Sequence, residues 1–386
     1  MLVLLSGCVY DRYPEAGNKT DEQLVMLLLR VGTTAPTRAD APAQELMHSL
    51  RIVLVNADDD TIEYNTLIDE SSDADLFGNG VNEFDYSKYR LIRTVPGRKK
   101  IYIVANESSA KRVNGENRSL TTLLDSKEVG ETGFGEMVDN IYFTPDFDDN
   151  LVLSSYYEFT IEDDPGQRTV QKEFWLVHAA TKFEFRFENN RSDAVSIDRL
   201  TVSQSAGDMY LMANLAQNEK TKQIDGTNYW WVEWLKRVCD DTTANPNLPE
   251  NPNVNERYGW ISNYYLPSAD HADVDIKARV GGTVDYWQIA PGGTLTLPEV
   301  YCSESKYMPD GETQKYTFSI QLTDTGEQDE QTATKEFPDN EFVNVKALFR
   351  NTHVKVTVSI SVEFNLDLKI GVCPWYYEDI DIPTFD

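Results

Sequence analysis

The sequence Leu24-Val25-Met26-Leu27-Leu28-Leu29-Arg30-Val31 decides how the rest of the chain is interpreted. Seven of its eight residues are apolar, which predicts a β-strand buried on both faces. The run is far shorter than the roughly 20 apolar residues that a membrane-spanning helix needs. A small, polar, proline-containing segment follows at 32–42 with Arg38 in its middle, and this composition is typical of an exposed loop.

Two interpretations of this strand and loop stay open on the residues alone. One is an ordinary first strand that is followed by an ordinary surface loop. The other is a removable strand, tied to its domain by a loop that a protease can cut, whose loss leaves a groove for another subunit. In the second interpretation, Leu24, Met26, Leu28 and Val31 are residues of the removable strand.

The composition is that of a folded and strongly acidic protein. A length of 386 residues predicts about two domains. The hydrophobic content of 40% and aromatic content of 11% are enough for substantial cores. The balance of 35 basic against 64 acidic residues gives a net charge of −29, which repels phosphate backbones and argues against nucleic acid as a partner.

The first residues resemble the end of a bacterial lipoprotein signal. Leu5-Ser6-Gly7-Cys8 has small residues before a cysteine, the pattern at which a signal peptidase cuts and the cysteine thiol receives lipid. A complete signal has a basic region and a longer apolar core, so 1–8 is expected to be a truncated signal. The alternative is an initiator methionine on a hydrophobic first strand. With Cys8 acylated, the chain is anchored to a membrane rather than spanning it.

The remaining cysteines, Cys239, Cys302 and Cys373, show no metal-ligand spacing. They are expected to be buried thiols, with one bridge left open as an alternative.

Alternating apolar and polar residues predict strands throughout the chain and few helices. Phe183, Phe185 and Phe187 alternate with charged residues, and the apolar residues of 354–360 and 364–372 alternate with polar residues or glycine. This pattern predicts an all-β protein of two Greek-key β-sandwich domains in tandem, with minor helices. We expect a tether and removable strand at 9–38, an N-terminal sandwich at 39–180 and a C-terminal sandwich at 181–386.

The sequence offers no catalytic or metal-binding motif and no cofactor motif. The histidines are far apart, and each is expected to be structural; they are His48, His178, His271 and His353. The aromatic segment with Trp230, Trp231 and Trp234 could form a sugar-binding platform, but a buried aromatic cluster is the favoured interpretation. The chain is therefore not expected to be an enzyme.

Several segments, taken in order, resemble the fimbrillins, the type V pilins of Bacteroidales. The lipoprotein box, the apolar strand at 24–31 and the arginine-bearing loop come first, and 45–56 resembles the first strand of a mature pilin. The segment 176–185 resembles the junction between the two pilin domains. Within the C-terminal half, the similar segments are 297–305, 350–358 and 372–375.

The resemblance implies a transthyretin-like pilin architecture and a lipoprotein precursor, with palmitate on Cys8, that is carried to the outer membrane and cell surface. It further implies that an arginine-specific protease cuts after Arg38, before Ala39, with Arg30 as the second choice. Loss of 8–38 opens a groove that a C-terminal strand of another pilin subunit fills, giving head-to-tail assembly of an adhesive fimbrium. The two alternative sets of inserting residues are Phe364, Leu366, Leu368 and Ile370, or Ile380, Ile382 and Phe385.

Other functions stay open at this stage. An anchor or tip subunit would share the fold but keep its first strand or lack a free donor strand. A surface lipoprotein that binds glycans or host ligands would use the tryptophans of 230–234 as its platform.

Overall fold

The computed structural model of the chain describes residues 24–33, 42–73, 76–77, 88–217, 220–224, 226–240, 264–268, 270–304, 318–324, 332–336 and 348–375. These residues form mostly strands in several sheets, with a few short helices, so the predicted all-β class is confirmed. Within these residues, no helix has the length and apolar character that a membrane crossing requires.

Seven strands form the first sheet, which curls around one core. Their order is β3 (Ile62–Asp69), β2 (Ser49–Asn56), β5 (Gly97–Ala105), β8 (Leu153–Ile161), β9 (Thr169–His178), β1 (Val25–Thr33) and β4 (Arg90–Thr94). Strands β8 and β9 are joined by only two residue pairs. The two end strands of the sheet lie close together: the Arg90 guanidinium of β4 donates to the Tyr64 hydroxyl of β3 at 3.2 Å. The sheet therefore folds back on itself beyond the narrow link between β8 and β9. The first core lies between the two layers.

Strand β1 lies inside this sheet and not at its edge. It pairs with β9 in parallel and with β4 in antiparallel orientation. The predicted strand at 24–31 is confirmed, but the prediction of burial on both faces is wrong, because burial alternates along β1. The strand therefore has one core face and one half-buried face, as a strand in the outer layer of a sandwich has.

Two five-stranded sheets form a second sandwich. One contains β17 (Thr294–Thr296), β10 (Thr181–Asn189), β21 (Thr352–Ile360) and β22 (Leu366–Pro374) in that order, and β18 (Val300–Cys302) also pairs with β10. The other contains β15 (His271–Asp275), β11 (Val195–Ala206), β19 (Phe318–Asp324) and β20 (Thr332–Glu336), and β16 (Gln288–Ile289) also pairs with β11. The alternating phenylalanines of β10 are fully buried between the two sheets, beside the aliphatic row of β21 on the same face of their sheet.

Smaller elements cover the outer face of the first sheet. A three-stranded sheet of β6 (Arg112–Val113), β7 (Tyr142–Thr144) and β12 (Met209–Tyr210) packs there together with α1 (Leu120–Asp125) and α2 (Phe134–Asp139). A hairpin of β13 (Thr221–Ile224) and β14 (Thr227–Trp230) leads into α3 (Trp231–Asp240), and α4 (Ile276–Val280) follows β15. Short 3-10 turns lie at Ala43–Glu45, Glu107–Ser109 and Val284–Trp287.

The chain leaves the first sheet at His178 and enters the second sandwich at Thr181. Residues of α3 later return to the first core, where Trp231 and Leu235 are buried. The division into domains after residue 180 stays a prediction.

Candidate functional site

The core face of β1 fills a slot in the first sandwich. Val25, Leu27, Leu29 and Val31 point into the first core, and each is at most 1% exposed. Burial of such a side chain stabilises the fold by about 1.5–3 kcal/mol relative to exposure. Of the four residues predicted to belong to the removable strand, Val31 is part of this row, while Leu24, Met26 and Leu28 are half-buried.

The backbone of β1 is paired on both sides. Eight residue pairs join it to β9, from Met26 to Thr33, and five join it to β4, from Val25 to Leu29. If β1 left, the slot would have two bare strand edges and an apolar floor, which is the kind of surface that recruits another strand.

The outer face of β1 carries two contacts that sequence reasoning missed. Arg30 forms an ion pair with Glu173 of β9 at 3.2 Å, and both side chains are about two-fifths exposed, so the pair adds little stability. Gly32 lies beneath Trp175 of β9 so closely that a Cβ atom there would be 2.5 Å from Cζ3 of the indole. The Lys236 ammonium of α3 lies 4.9 Å from the centroid of the same indole. A glycine inside a strand pattern was the available signal of this close approach.

Several predicted site residues lie outside the described residues. These are the lipidation residue, the two residues at the expected cleavage point and the second set of inserting residues: Cys8, Arg38, Ala39, Ile380, Ile382 and Phe385.

The first set of inserting residues lies in and beside β22. This strand pairs with β21 through nine residue pairs, with Ile370 opposite Val356. Leu366 is buried at 6% exposure, while Phe364 and Leu368 are only half-buried against the second core. Phe364 has φ +62°, a left-handed conformation that costs free energy for a bulky residue. In the order of its sheet β22 is the terminal strand, so its backbone is paired on one side only among the described strands.

A buried polar cluster around Glu45 joins the turn before β2 to Trp375, which follows β22. The Glu45 carboxylate accepts hydrogen bonds from Lys182 Nζ at 3.0 Å and from the Tyr301 hydroxyl at 2.8 Å. The other carboxylate oxygen accepts from Trp375 Nε1 at 3.0 Å. Lys182 also pairs with Glu299 at 2.9 Å. The 3-10 turn, β10, β18 and the end of β22 thus share one carboxylate.

Electrostatics in this cluster favour the charged form of Glu45. Burial acts to raise the pKa of the Glu45 carboxyl, but Lys182, His178 and the Trp375 hydrogen bond outweigh it, so the pKa lies below its usual value. Burial raises the pKa of the nearby Glu299 carboxyl. The cluster therefore holds an ionised carboxylate at neutral pH and fixes Trp375 to it.

His178 completes the cluster as a neutral structural residue. Its ring stacks on the Trp375 indole at a centroid distance of 4.4 Å, and its Nδ1 lies 3.2 Å from Oδ1 of Asn351. Burial lowers the pKa of the His178 imidazole, although Glu45 opposes this effect. The stacked ring closes the apolar side of the cluster.

The tryptophan segment does not form an exposed platform. Trp231 and Trp234 are 1% and 5% exposed, and Trp230 meets Tyr156 edge-on at a centroid distance of 5.2 Å. The favoured prediction of a buried aromatic cluster is confirmed, and the glycan-binding alternative loses the feature on which it depended.

The possible metal ligands and the free thiol among the described residues lack the arrangement and the reactivity that metal or thiol chemistry requires. The described residues contain no group of three histidine, cysteine, aspartate or glutamate side chains placed to hold a metal ion. Cys302 is a buried free thiol, and burial raises its pKa to about 12, which makes it unreactive.

Two solved structures share this fold over nearly the whole chain. A protein from Parabacteroides distasonis ATCC 8503, described as a candidate cell adhesion protein, matches with a TM-score of 0.51 at 13% identity, covering 92% of this chain and 98% of that chain. The tip fimbrial protein Mfa3 from Porphyromonas gingivalis, with a C-terminal truncation, matches with a TM-score of 0.50 at 12% identity, covering 91% and 100%. No protein-family model matches the chain, and no curated protein matches it in sequence. At these identities the likeness shows a shared fold, and at that level it confirms the expected resemblance to fimbrial proteins.

Proposed function

We propose that this chain is a structural subunit of a fimbrium that supports adhesion at the cell surface. In this proposal it is exported as a lipoprotein through Cys8, activated by cleavage after Arg38 and polymerised by donor-strand exchange. The observation that carries the proposal is the position of β1. Its core face is buried in the first core and its backbone pairs with strands on both sides. The chain that joins it to the following turn, residues 34–41, contains Arg38, so one cut there separates β1 from the rest of the chain. The shared fold with a tip fimbrial protein supports the same function.

Removal of β1 creates a site that a second copy can fill. The slot is lined by the edges of β9 and β4, and its floor loses four fully buried side chains. A donor strand restores both ladders and the apolar contacts. Because the slot and the donor strand are different surfaces of one chain, the contact is head-to-tail and extends into a filament.

Arg38 is the favoured cleavage position of the two arginines. Arg30 lies inside β1, where its backbone is in register with Glu173 of β9 and its side chain forms an ion pair with the same residue. A protease binds an extended and unpaired segment of substrate, which a strand in the middle of a sheet does not offer. Cleavage is therefore expected in the loop after β1 and not within it.

Limited digestion of the full chain tests the proposal. Trypsin is expected to release β1, expose Ala39 as a new N-terminus in mass spectrometry and give a ladder of SDS-resistant multimers. The variant Arg38→Ala should stay uncut and monomeric, while Arg38→Lys should be cut by trypsin but not by an arginine-specific protease. Arg30→Ala serves as the matched control and should be cut normally. A protein cut at Arg38 that stays monomeric contradicts the proposal.

The lipoprotein step has its own test. Mass spectrometry of the N-terminus from the membrane fraction of a Gram-negative producer should find acylated Cys8. The variant Cys8→Ala should leave that fraction, and an unmodified thiol on the membrane-bound wild type would contradict lipidation.

A terminal position in the fimbrium is the second candidate, which the likeness to a tip fimbrial protein favours. A subunit at one end would join a single neighbour. Digested alone it would then stay monomeric, because a head-to-tail contact needs both surfaces, and it would form multimers only with a second type of subunit.

A further inference from the structure

The removable strand β1 and the C-terminal strand share one residue pattern. Residues 25–33 read Val-Met-Leu-Leu-Leu-Arg-Val-Gly-Thr, and residues 364–372 read Phe-Asn-Leu-Asp-Leu-Lys-Ile-Gly-Val. Both have apolar residues at the first, third, fifth and seventh positions, a basic residue at the sixth and glycine at the eighth. In β1 these four shared apolar positions are Val25, Leu27, Leu29 and Val31, the residues that point into the first core.

The glycine position is the most selective part of the pattern. A Cβ atom at the place of Gly32 would lie 2.5 Å from the Trp175 indole, so any residue other than glycine there forces the indole to move. Gly371 avoids this clash when Leu366 takes the place of Leu27. The last segment, residues 376–386, contains no glycine, and Pro383 lies among its apolar residues. Proline cannot donate to a strand ladder, so that segment fits the slot poorly in any register.

The basic position also matches the slot. Arg30 pairs with Glu173 on the outer face of β9. In the same register Lys369 occupies the place of Arg30, so its ammonium can pair with the same carboxylate. Asp367 occupies the place of the half-buried Leu28, next to the exposed Leu91 of β4.

The C-terminal strand would gain contacts by the move. In its own subunit β22 has one paired neighbour, β21, whereas the slot offers both β9 and β4. Phe364 and Leu368 are half-buried in their own subunit, whereas Val25 and Leu29, the corresponding residues of β1, are 1% exposed. An extended backbone in the slot would also relieve the left-handed conformation of Phe364.

We propose that residues 364–372 of a second copy occupy the slot of β1, running in the direction of β1 and in its register. Lys369 then faces Glu173, and Gly371 lies beneath the Trp175 indole of the accepting subunit. This inference rests on the proposed function, because the slot must first be emptied by cleavage. It selects the first of the two candidate sets of inserting residues.

Cysteine cross-linking of the full chain after trypsin cleavage tests the register. Leu28 is opposite Leu91 in the antiparallel pair of β1 and β4. Asp367 would take that place, and opposed strand residues are close enough for a disulfide. The variant Leu91→Cys/Asp367→Cys is therefore expected to give disulfide-linked multimers, with the linkage identified by mass spectrometry. The matched control Leu91→Cys/Asn365→Cys is two residues out of register and should give at least tenfold less.

A pair of variants tests the glycine requirement of the donor strand. Gly371→Val should reduce multimer formation at least tenfold, because its side chain meets Trp175, while valine itself favours strands. The matched control Gly207→Val lies outside the slot and the donor strand, where an added Cβ atom would be 3.7 Å from its nearest neighbour, and it should assemble as the wild type does. A circular dichroism spectrum and unfolding midpoint for each uncut variant show whether the monomer is folded.

The outcomes separate the two proposals. Multimers with the linkage between positions 91 and 367, and their loss in folded Gly371→Val, support the inference. Multimers that instead link Leu91→Cys to Asp381→Cys, or that form normally with Gly371→Val, overturn the inference and leave donor-strand exchange intact. Failure of the cleaved wild type to form multimers overturns both.

Discussion

At the scale of single residues, the contact between Gly32 and Trp175 controls what can lie in the slot. The variant Gly32→Ala places a methyl group where the indole now lies. We expect a loss of about 1–3 kcal/mol in the free energy of unfolding, the usual cost of overpacking. Urea unfolding of the uncut chain measures it. In the double variant Gly32→Ala/Trp175→Leu the loss should be much smaller than the sum of the single effects, and full additivity would show that the two side chains do not meet.

His353 is a second residue whose environment gives a testable effect. Burial lowers the pKa of its imidazole to about 4, and Glu184, 3.4 Å away, only partly offsets this; Lys182 and Lys355 act in the same direction as burial. A histidine with a depressed pKa binds its proton more readily in the unfolded chain. Stability is therefore expected to fall as the pH drops from about 6.5 towards 4.

The variant His353→Gln isolates this histidine effect. Between pH 7.5 and pH 5, the wild type should lose about 2 kcal/mol more than the variant in urea unfolding, since each pKa unit is worth about 1.4 kcal/mol. Glu184, whose pKa is lowered mainly by its hydrogen bond with His353, titrates below this window. An equal pH dependence in the two proteins would contradict a neutral buried His353.

At the scale of elements, β1 is expected to bind the slot also as a separate peptide. A synthetic peptide with the sequence of residues 24–33 and the change Arg30→Gln, which removes its trypsin site, is added in about tenfold molar excess during trypsin cleavage. It should refill the emptied slot by mass action and suppress multimers. The same peptide with Gly32→Val is the matched control and should compete weakly. Multimers are counted on SDS gels without boiling. Undiminished assembly at saturating peptide would show that β1 and the donor strand use different sites.

The strands also show which parts of the fold an alternating sequence pattern predicts. The alternation in 354–360 and 364–372 predicted β21 and the strand after it, because one face of each is apolar and the other polar. The strand at 24–31 was predicted, but not its core face. Apolar Met26 and Leu28 on the half-buried face hide the period of two. Of the candidate site, the row of β1 that faces the core was therefore visible only in the folded chain.

The contacts of the buried cluster around Glu45 could not be predicted from neighbouring residues in the sequence. Glu45 and Trp375 are 330 positions apart, and Glu45 and Lys182 are 137 apart. A strand pattern fixes which residues share a face, but it does not fix which distant side chains meet. The Glu45 cluster could thus be found only in the folded chain, although Trp375 stood among the residues that resembled the fimbrillins.

At the scale of the whole molecule, a buried arginine ties the second sandwich to the first. Arg350 precedes β21 and pairs with Glu304, and both side chains are at most 2% exposed. Its guanidinium also donates to the carbonyl of Leu211 at 3.0 Å and approaches the Ser154 hydroxyl of β8 at 3.4 Å. Because one charge pair is shared across both parts, we expect them to unfold in one cooperative transition.

Substitution of this pair tests the coupling. Arg350→Met leaves the Glu304 carboxylate buried without its cation, and a loss of about 3–5 kcal/mol is expected. Arg350→Met/Glu304→Leu removes both charges and should recover most of that loss, because no unpaired charge remains. Urea unfolding followed by tryptophan fluorescence and far-ultraviolet circular dichroism should give coincident curves for the wild type. Two separated transitions in the wild type, or a double variant no more stable than Arg350→Met, would contradict the role of this pair in joining the sandwiches.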